Sequence, residues 1–99
     1  MNSSIIWSRS AFEHVKEIIT YIASDNPRAA NAVQNGIQEL VGKLAITPHL
    51  GRPGRVEGTR ELVVPAYSSY IVVYELVEDQ IHILAVRHTA RTWPERFES

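Results

Sequence analysis

The fold is decided by residues 60–86, which read RELVVPAYSSYIVVYELVEDQIHILAV. Branched and aromatic residues dominate 60–64, 70–77 and 81–86, and this composition favours β-strands. A PAYSS segment separates the first run from the second, and Glu78-Asp79-Gln80 forms a tight connection to the third. Residues 70–74 are apolar on both faces, which is typical of a central strand. The stretch therefore predicts three consecutive strands.

Two amphipathic helices are predicted before these strands. Ser8 or Ser10 can cap the first helix, because a serine oxygen accepts from free amides of the first turn. Asn26 can cap the second, and Pro27 suits its first position, where no amide donor is needed. The short connection between them predicts an antiparallel hairpin. The apolar stripes are Phe12, Val15, Ile18, Ile19 and Ile22 in the first helix, and Ala30, Val33, Ile37, Leu40, Val41 and Leu44 in the second.

The order of these elements predicts an α+β domain. A short apolar run at 5–7 is read as a first strand, and residues 47–59, with three of the five glycines, are read as a loop. Helices followed by meandering strands give an α+β arrangement rather than a βαβ repeat. A chain of 99 residues is expected to form a single domain, spanning residues 1–99.

Composition excludes several kinds of chemistry. The chain has no cysteine, so disulfides, cysteine-ligated zinc and cysteine nucleophiles are excluded. Its four histidines share no metal-ligand spacing, and its glycines form no phosphate-binding motif, so neither a metal nor a cofactor is predicted. The amino terminus resembles no secretory signal, and no apolar run approaches the ~20 residues of a membrane span. We therefore expect a cytoplasmic protein with no membrane partner.

The net charge of −1 conceals an uneven distribution of charge. Residues 48–60 carry a net charge of +2 through Arg52, Arg55 and Arg60, whereas residues 61–86 carry −4. Eight of the ten basic residues are arginine, which favours bidentate contact with phosphate or carboxylate. The overall charge argues against a general nucleic-acid binder, but the arginine clusters are candidate contact sites.

A second cluster follows the last predicted strand and contains Arg87, His88, Arg91 and Trp93. A histidine beside arginines could act as a general base near pH 7, because like charge favours its neutral form. Arginines could stabilise the transition state of a metal-free ribonuclease, so His88 and Arg91 are the candidates for catalysis. The alternative is structural, with Trp93 closing the core and with Arg87 and Arg91 paired to Glu61, Glu75 or Glu95.

The order of short motifs resembles the RelE/ParE superfamily of toxins from bacterial type II toxin–antitoxin modules. The similarity spans residues 7 to about 94. It implies a twisted, mainly antiparallel sheet on which the amino-terminal strand and helical hairpin pack. It also implies a cognate antitoxin that wraps the toxin in a hetero-oligomer. The motifs are Trp7-Ser8-x-x-Ala11, Asp25-Asn26-Pro27-x-Ala29-Ala30, Gly51-Arg52-Pro53-Gly54-Arg55, Tyr70-Ile71-Val72-Val73-Tyr74 and Val86-x-His88-x-Ala90-Arg91-x-Trp93-Pro94.

The resemblance leaves two targets, because RelE-like members cut mRNA on the ribosome and ParE-like members poison DNA gyrase. RelE-like members carry arginine after the aromatic residue that opens the central strand, where this chain has Ile71, and lysines on the preceding strand, where it has residues 61–64. The run around His88 and Arg91 is more similar to ParE-like members. Gyrase is therefore the favoured target, and a ribosome-dependent mRNA endoribonuclease using His88 is the alternative. A second alternative is a non-toxic protein that still binds antitoxin. The candidate target contacts are Arg52, Arg55, Arg60, Arg87, Arg91 and Trp93.

The two-sided apolarity of residues 70–74 has two interpretations. The helical hairpin covers one face of the strand, so the other face could expose a hydrophobic strip for the antitoxin. Alternatively, the 47–59 loop could fold over that face.

Overall fold

The computed structural model describes residues 3–65, 67 and 69–90 of the chain. Its elements follow the predicted order, with one additional short strand. They are β1 (Ser4–Trp7), α1 (Arg9–Asp25), α2 (Pro27–Ile46), β2 (Arg52–Pro53), β3 (Arg60–Val63), β4 (Tyr70–Val77) and β5 (Gln80–His88).

The strands form one mixed sheet in the order β1-β5-β4-β3-β2. β1 pairs with β5 in parallel, and the other neighbours are antiparallel. The α+β prediction, with an amino-terminal strand and a helical hairpin on a mainly antiparallel sheet, is confirmed. Two details differ: β2 lies within the predicted loop, and β5 continues to His88 instead of ending near Val86. β2 was missed because pairing with β3, not its own Arg-Pro composition, makes it a strand.

Side-chain caps begin both helices as the sequence predicts. The Ser8 hydroxyl oxygen accepts from the Ala11 amide at 3.0 Å and caps α1. The Asn26 side-chain oxygen accepts from the Ala29 amide at 3.1 Å, with Pro27 at the start of α2. Because Asn26 alone separates the helices, the chain reverses abruptly and the two helices pack against each other.

The main core lies between the hairpin and one face of the sheet. Val72 and Tyr74 of β4 and Ile81 and Ile83 of β5 face the helices and are fully buried. A β-bulge keeps Tyr74 and Ile83 on the same, helix-facing side of the sheet. Val73 pairs with Ala85 whereas Tyr74 pairs with Ile83, so Leu84 is the extra residue on β5. The helices contribute Ala11, Ile22, Ala30, Val33, Ile37, Leu40, Val41 and Leu44.

The other face of β4 is also buried. Ile71 and Val73 form a second cluster with Ala85, and Ile71 is only 1% exposed. The interpretation of this face as an exposed strip is therefore wrong. The loop interpretation is supported by Arg55, which contacts Glu61 of β3 through its amide and the Thr89 carbonyl beyond β5 through its guanidinium. The loop spans this face of the sheet.

Candidate functional site

An open cavity of about 710 Å³ lies between α1 and the ends of β4 and β5, and we call it the histidine cavity. It exists because β1 ends at Trp7, where the chain turns into α1, whereas β5 continues to His88. α1 therefore replaces a neighbouring strand along the second half of β5. The cavity is lined by His14, Glu17, Ile18, Tyr21, Tyr70, Val86, Arg87, His88 and Ala90.

Beyond Ile83, β5 no longer pairs with β1. Two polar side chains, one at the cap of α1 and one within the helix, form hydrogen bonds with backbone groups of this part of β5. The Ser8 hydroxyl donates to the Leu84 carbonyl at 3.1 Å, and the Val86 amide donates to His14 Nδ1 at 3.3 Å. Burial lowers the pKa of His14, and the positive charge of Arg87 lowers it further, against a smaller opposing effect of Glu17. His14 is therefore neutral near pH 7, with its hydrogen on Nε2.

His88 lies at the end of β5 beside Tyr70 of β4. The two rings are 5.2 Å apart between centroids and nearly perpendicular, at 86°. His88 Nδ1 accepts from the Ala90 amide at 3.1 Å, so neutral His88 carries its hydrogen on Nε2. In this arrangement Nε2 is a hydrogen-bond donor, and His88 could take a proton from a ribose hydroxyl only after changing tautomer or releasing Ala90.

Glu61 is a buried charged residue on the opposite face of the sheet. Arg52 Nη2 lies 3.3 Å from Glu61 Oε1, and the Arg55 amide donates to Glu61 Oε2 at 2.7 Å. The Arg52 side chain is 59% exposed, whereas the Glu61 side chain is almost fully buried. The sequence suggested Arg87 or Arg91 as an ion-pair partner of Glu61. In the structure Arg52, on the adjacent strand β2, forms this ion pair.

The arginines predicted as target contacts lie at separate places. Arg55 joins the two sequence clusters, because its Nη1 donates to the Thr89 carbonyl at 3.3 Å. Arg60 has a structural role, since its Nη1 donates to the Gly51 carbonyl at 2.6 Å and to the His49 carbonyl at 3.4 Å. Arg87 and His88 line the histidine cavity, and Arg91 and Trp93 lie outside the described residues.

A second cavity, of about 700 Å³, lies along the helical hairpin, and we call it the helix groove. Phe12 was predicted as a core residue but is 56% exposed here, with Lys16 Nζ 5.7 Å from its ring centroid. Helix periodicity places Phe12 in the apolar stripe, but its side chain lines the groove instead of entering the core. The groove is lined by Trp7, Phe12, Val15, Lys16, Ile19, Thr20, Gln34, Ile37 and Gln38.

The sequence assigned no role to His14, which was considered only as one of four histidines without metal-ligand spacing. Its spacing contained a signal, because His14 shares a helix face with Ala11, Ile18 and Ile22 at intervals of three and four residues. Across residues 3–65, 67 and 69–90, no group of three acidic or histidine side chains is placed to hold a metal ion. Within the same part of the chain, no helix is long and apolar enough to cross a membrane.

Comparison with known proteins identifies the class. The family described as the ParE toxin of the type II toxin–antitoxin system parDE matches residues 5–93. The putative toxin Y4kP of Sinorhizobium fredii is 42% identical over 92% of this chain and 93% of that protein. Toxin RelE2 of Caulobacter vibrioides is 27% identical over 90% of this chain and 98% of that protein.

Solved structures agree on the fold. A chain described as the chromosomal ParDE toxin–antitoxin system from P. aeruginosa superposes with a TM-score of 0.76 and 24% identity, covering 87% of this chain and 95% of that one. A YoeB dimer structure from Staphylococcus aureus gives 0.56 and 17% identity, covering 89% and 98%. The fold and the family match define a toxin of the RelE/ParE superfamily. The chain belongs to the ParE toxin family of type II toxin–antitoxin systems.

Proposed function

We propose that this toxin inhibits growth by poisoning DNA gyrase and that a cognate antitoxin neutralises it. The observation that carries the choice of target is the burial of Ile71, which stands where RelE-like nucleases have an arginine. A side chain that is 1% exposed and apolar cannot contact a phosphate. The preceding strand adds a buried carboxylate, Glu61, where those nucleases have lysines.

The electrostatics of the chain support the same choice. A metal-free ribonuclease must stabilise the charge of the phosphorane-like transition state with cations placed before reaction. Two of the candidate cations are held by internal bonds, since Arg52 pairs with Glu61 and Arg60 donates to loop carbonyls. A net charge of −1 also provides little of the phosphate neutralisation on which ribosomal RNA binding depends.

The test is a cleavage assay with purified gyrase and supercoiled plasmid. We expect added toxin to make gyrase accumulate linear plasmid after protein removal, in proportion to toxin concentration. Addition of the antitoxin encoded beside the toxin should prevent this accumulation. Gyrase that produces no cleaved plasmid at a large excess of folded toxin would exclude gyrase as the target.

Ribosome-dependent mRNA cleavage is the second candidate, and the position of His88 favours it. His88 lies in a cavity with Tyr70 and Arg87, and the RelE2 relative is similar over almost its full length. In a translation assay, shortened mRNA that is lost with His88→Ala but retained with His82→Ala would support this candidate. His82 is a suitable control because it lies on the same strand and its ring nitrogen contacts only the Gln80 side chain among the described hydrogen bonds.

The helix groove is the surface we assign to the antitoxin. Exposed apolar surface on a small domain marks an interaction site, and a groove along two helices suits an amphipathic helix. Phe12→Asp should weaken antitoxin binding, measured by calorimetry, while Glu13→Asp on the next exposed position should not.

Expression of the chain without antitoxin separates the proposed growth inhibition from the non-toxic alternative, because an inert chain would leave growth unchanged.

A further inference from the structure

We propose that the sheet face opposite the helices, beyond the part that the loop covers, docks on a basic surface of gyrase. This inference rests on the proposed function, since it names the surface through which the toxin contacts that target. The surface consists of two rows of side chains across β1, β5 and β4, and we call it the outer patch. The rows are Ser4, Gln80 and Val77, and Ile6, His82 and Glu75.

The strand register places the outer patch on the face that points away from the helices. Ile5 and Ile81 pair with each other and pack into the main core, so their neighbours along both strands point to the other side. Leu76 packs against the same core, which turns Glu75 and Val77 to the outer face. The loop covers the second cluster on this face, and the outer patch lies beyond that cluster, toward the turn between β4 and β5.

The outer patch exposes apolar surface on an open sheet face. Ile6 is 38% exposed and Val77 is 42% exposed, and they lie on the two strands that flank β5. None of the patch residues lines the histidine cavity or the helix groove. Small molecules bind in concave sites, whereas apolar side chains surrounded by polar ones on an open face suit a protein partner.

The charge of the outer patch is negative. Residues 61–86 contain four acidic residues and no lysine or arginine. Glu61 is paired with an arginine of β2, so three charges remain: Glu75 within the patch, and Glu78 and Asp79 in the turn at its border. In the described part of the chain, no ion pair involves these three carboxylates. A partner with lysine or arginine side chains would therefore complement the patch.

Charge complementarity favours gyrase as the occupant. An enzyme that binds DNA needs cationic surfaces to neutralise phosphates, and an acidic patch is complementary to such a surface. Arginines predicted as target contacts are engaged within the chain instead, since Arg52 pairs with Glu61 and Arg60 donates to loop carbonyls. The helix groove, which we assign to the antitoxin, lies on the opposite side of the sheet.

The experiment measures binding of purified gyrase holoenzyme to immobilised, folded toxin by surface plasmon resonance. Val77→Lys places a cation at an exposed apolar position of the patch, and we expect it to weaken binding by about tenfold or more. Val63→Lys is the matched control, and its affinity should equal that of the wild type. Val63 is 38% exposed and lies on the same sheet face outside the patch, and the substitution adds the same charge.

A second variant removes charge without changing the shape of the sheet. Asp79→Asn should lower the association rate by about twofold or more and reduce its dependence on salt, because a charge at the rim of an interface acts mainly on association. Asp25→Asn removes an exposed carboxylate at the end of α1 and should change neither quantity. Asp79→Asn keeps the test valid if Val77→Lys disturbs the sheet.

The outcomes separate this inference from the proposed target. Antitoxin binding by both patch variants, measured by calorimetry, should match the wild type, which shows that the fold is intact. Equal gyrase binding by wild type, Val77→Lys and Asp79→Asn would overturn the docking surface and leave gyrase as the target. Loss of antitoxin binding with gyrase binding retained would assign the outer patch to the antitoxin and overturn the inference. A wild-type toxin that binds no gyrase would refute the proposed target and this inference with it.

Discussion

Replacing Tyr74 by phenylalanine tests how the chain anchors its long loop. The Tyr74 hydroxyl accepts from the Gly51 amide at 2.8 Å and donates to the Pro48 carbonyl at 2.8 Å. Burial raises the pKa of Tyr74, against smaller opposing effects of the Gly51 amide and Arg60, so the hydroxyl keeps its proton. A Cβ at position 51 would lie 2.7 Å from the Tyr74 ring, so the Gly51 backbone packs directly against that ring.

The expected cost follows from the two partners that Tyr74→Phe leaves behind. Gly51 is buried, so its amide would lose its hydrogen bond without access to water, at about 2 kcal/mol. Pro48 is half-buried, and water can partly replace the bond to its carbonyl, at about 1 kcal/mol. The sum of about 3 kcal/mol corresponds to a fall in Tm of roughly 12–24 °C for a domain of this size.

Urea denaturation followed by circular dichroism measures this cost. The midpoint should fall while the m-value stays the same, because the loop is small relative to the surface exposed on unfolding. Tyr21→Phe removes the same hydroxyl from a side chain that is 75% exposed, and its stability should match the wild type. A loss below about 0.5 kcal/mol in Tyr74→Phe would mean that water or another group replaces the hydroxyl, and the anchoring role would be refuted.

Three further predictions concern other contacts. As pH falls below about 6.5, the unfolded chain binds a proton at His14 before the folded chain does, so stability should decrease from pH 7 to 5. Urea midpoints across this range should decrease less in His14→Gln than in the wild type, and an equal decrease would remove His14 as the cause. Ser8→Ala should cost about 1–2 kcal/mol by calorimetry, because it removes both the helix cap and the bond to Leu84, whereas Ser10→Ala should be neutral. Gly58 has φ +82°, so Gly58→Ala should lower the Tm although open space surrounds it, and an unchanged Tm would contradict backbone strain at that position.

Local sequence rules predicted most of the fold. The Ser8 and Asn26 caps and the strand bounds Tyr70–Val77 depend on interactions within a few residues, and the sequence contains those residues. The turn at Glu78-Asp79 likewise depends on neighbouring residues, and Glu78 adopts φ 56° there. The family motifs added the sheet and hairpin arrangement, which periodicity alone does not determine.

The candidate site was less predictable, because it depends on pairs of residues far apart in the chain. His14 and Val86 are separated by 72 residues, and their contact depends on where β1 ends relative to β5. The bulge at Leu84 and the pairing of Arg52 with Glu61 likewise require the sheet register. Arg60 was predicted as a target contact, because no local pattern indicates that its guanidinium donates to loop carbonyls.

The parallel pairing of β1 with β5 has a consequence for how the toxin matures. The helical hairpin makes local contacts and is expected to form early, whereas β1 has no partner strand until residues 80–88 have been synthesised. The bond from Ser8 to Leu84 spans 76 residues and belongs to this last step. The sheet therefore closes only after β5 has been synthesised, and the histidine cavity, built on the same portion of β5, forms at that stage. Until then the nascent chain presents an apolar hairpin without its sheet, and the α1 and α2 residues of the groove proposed for the antitoxin are already together.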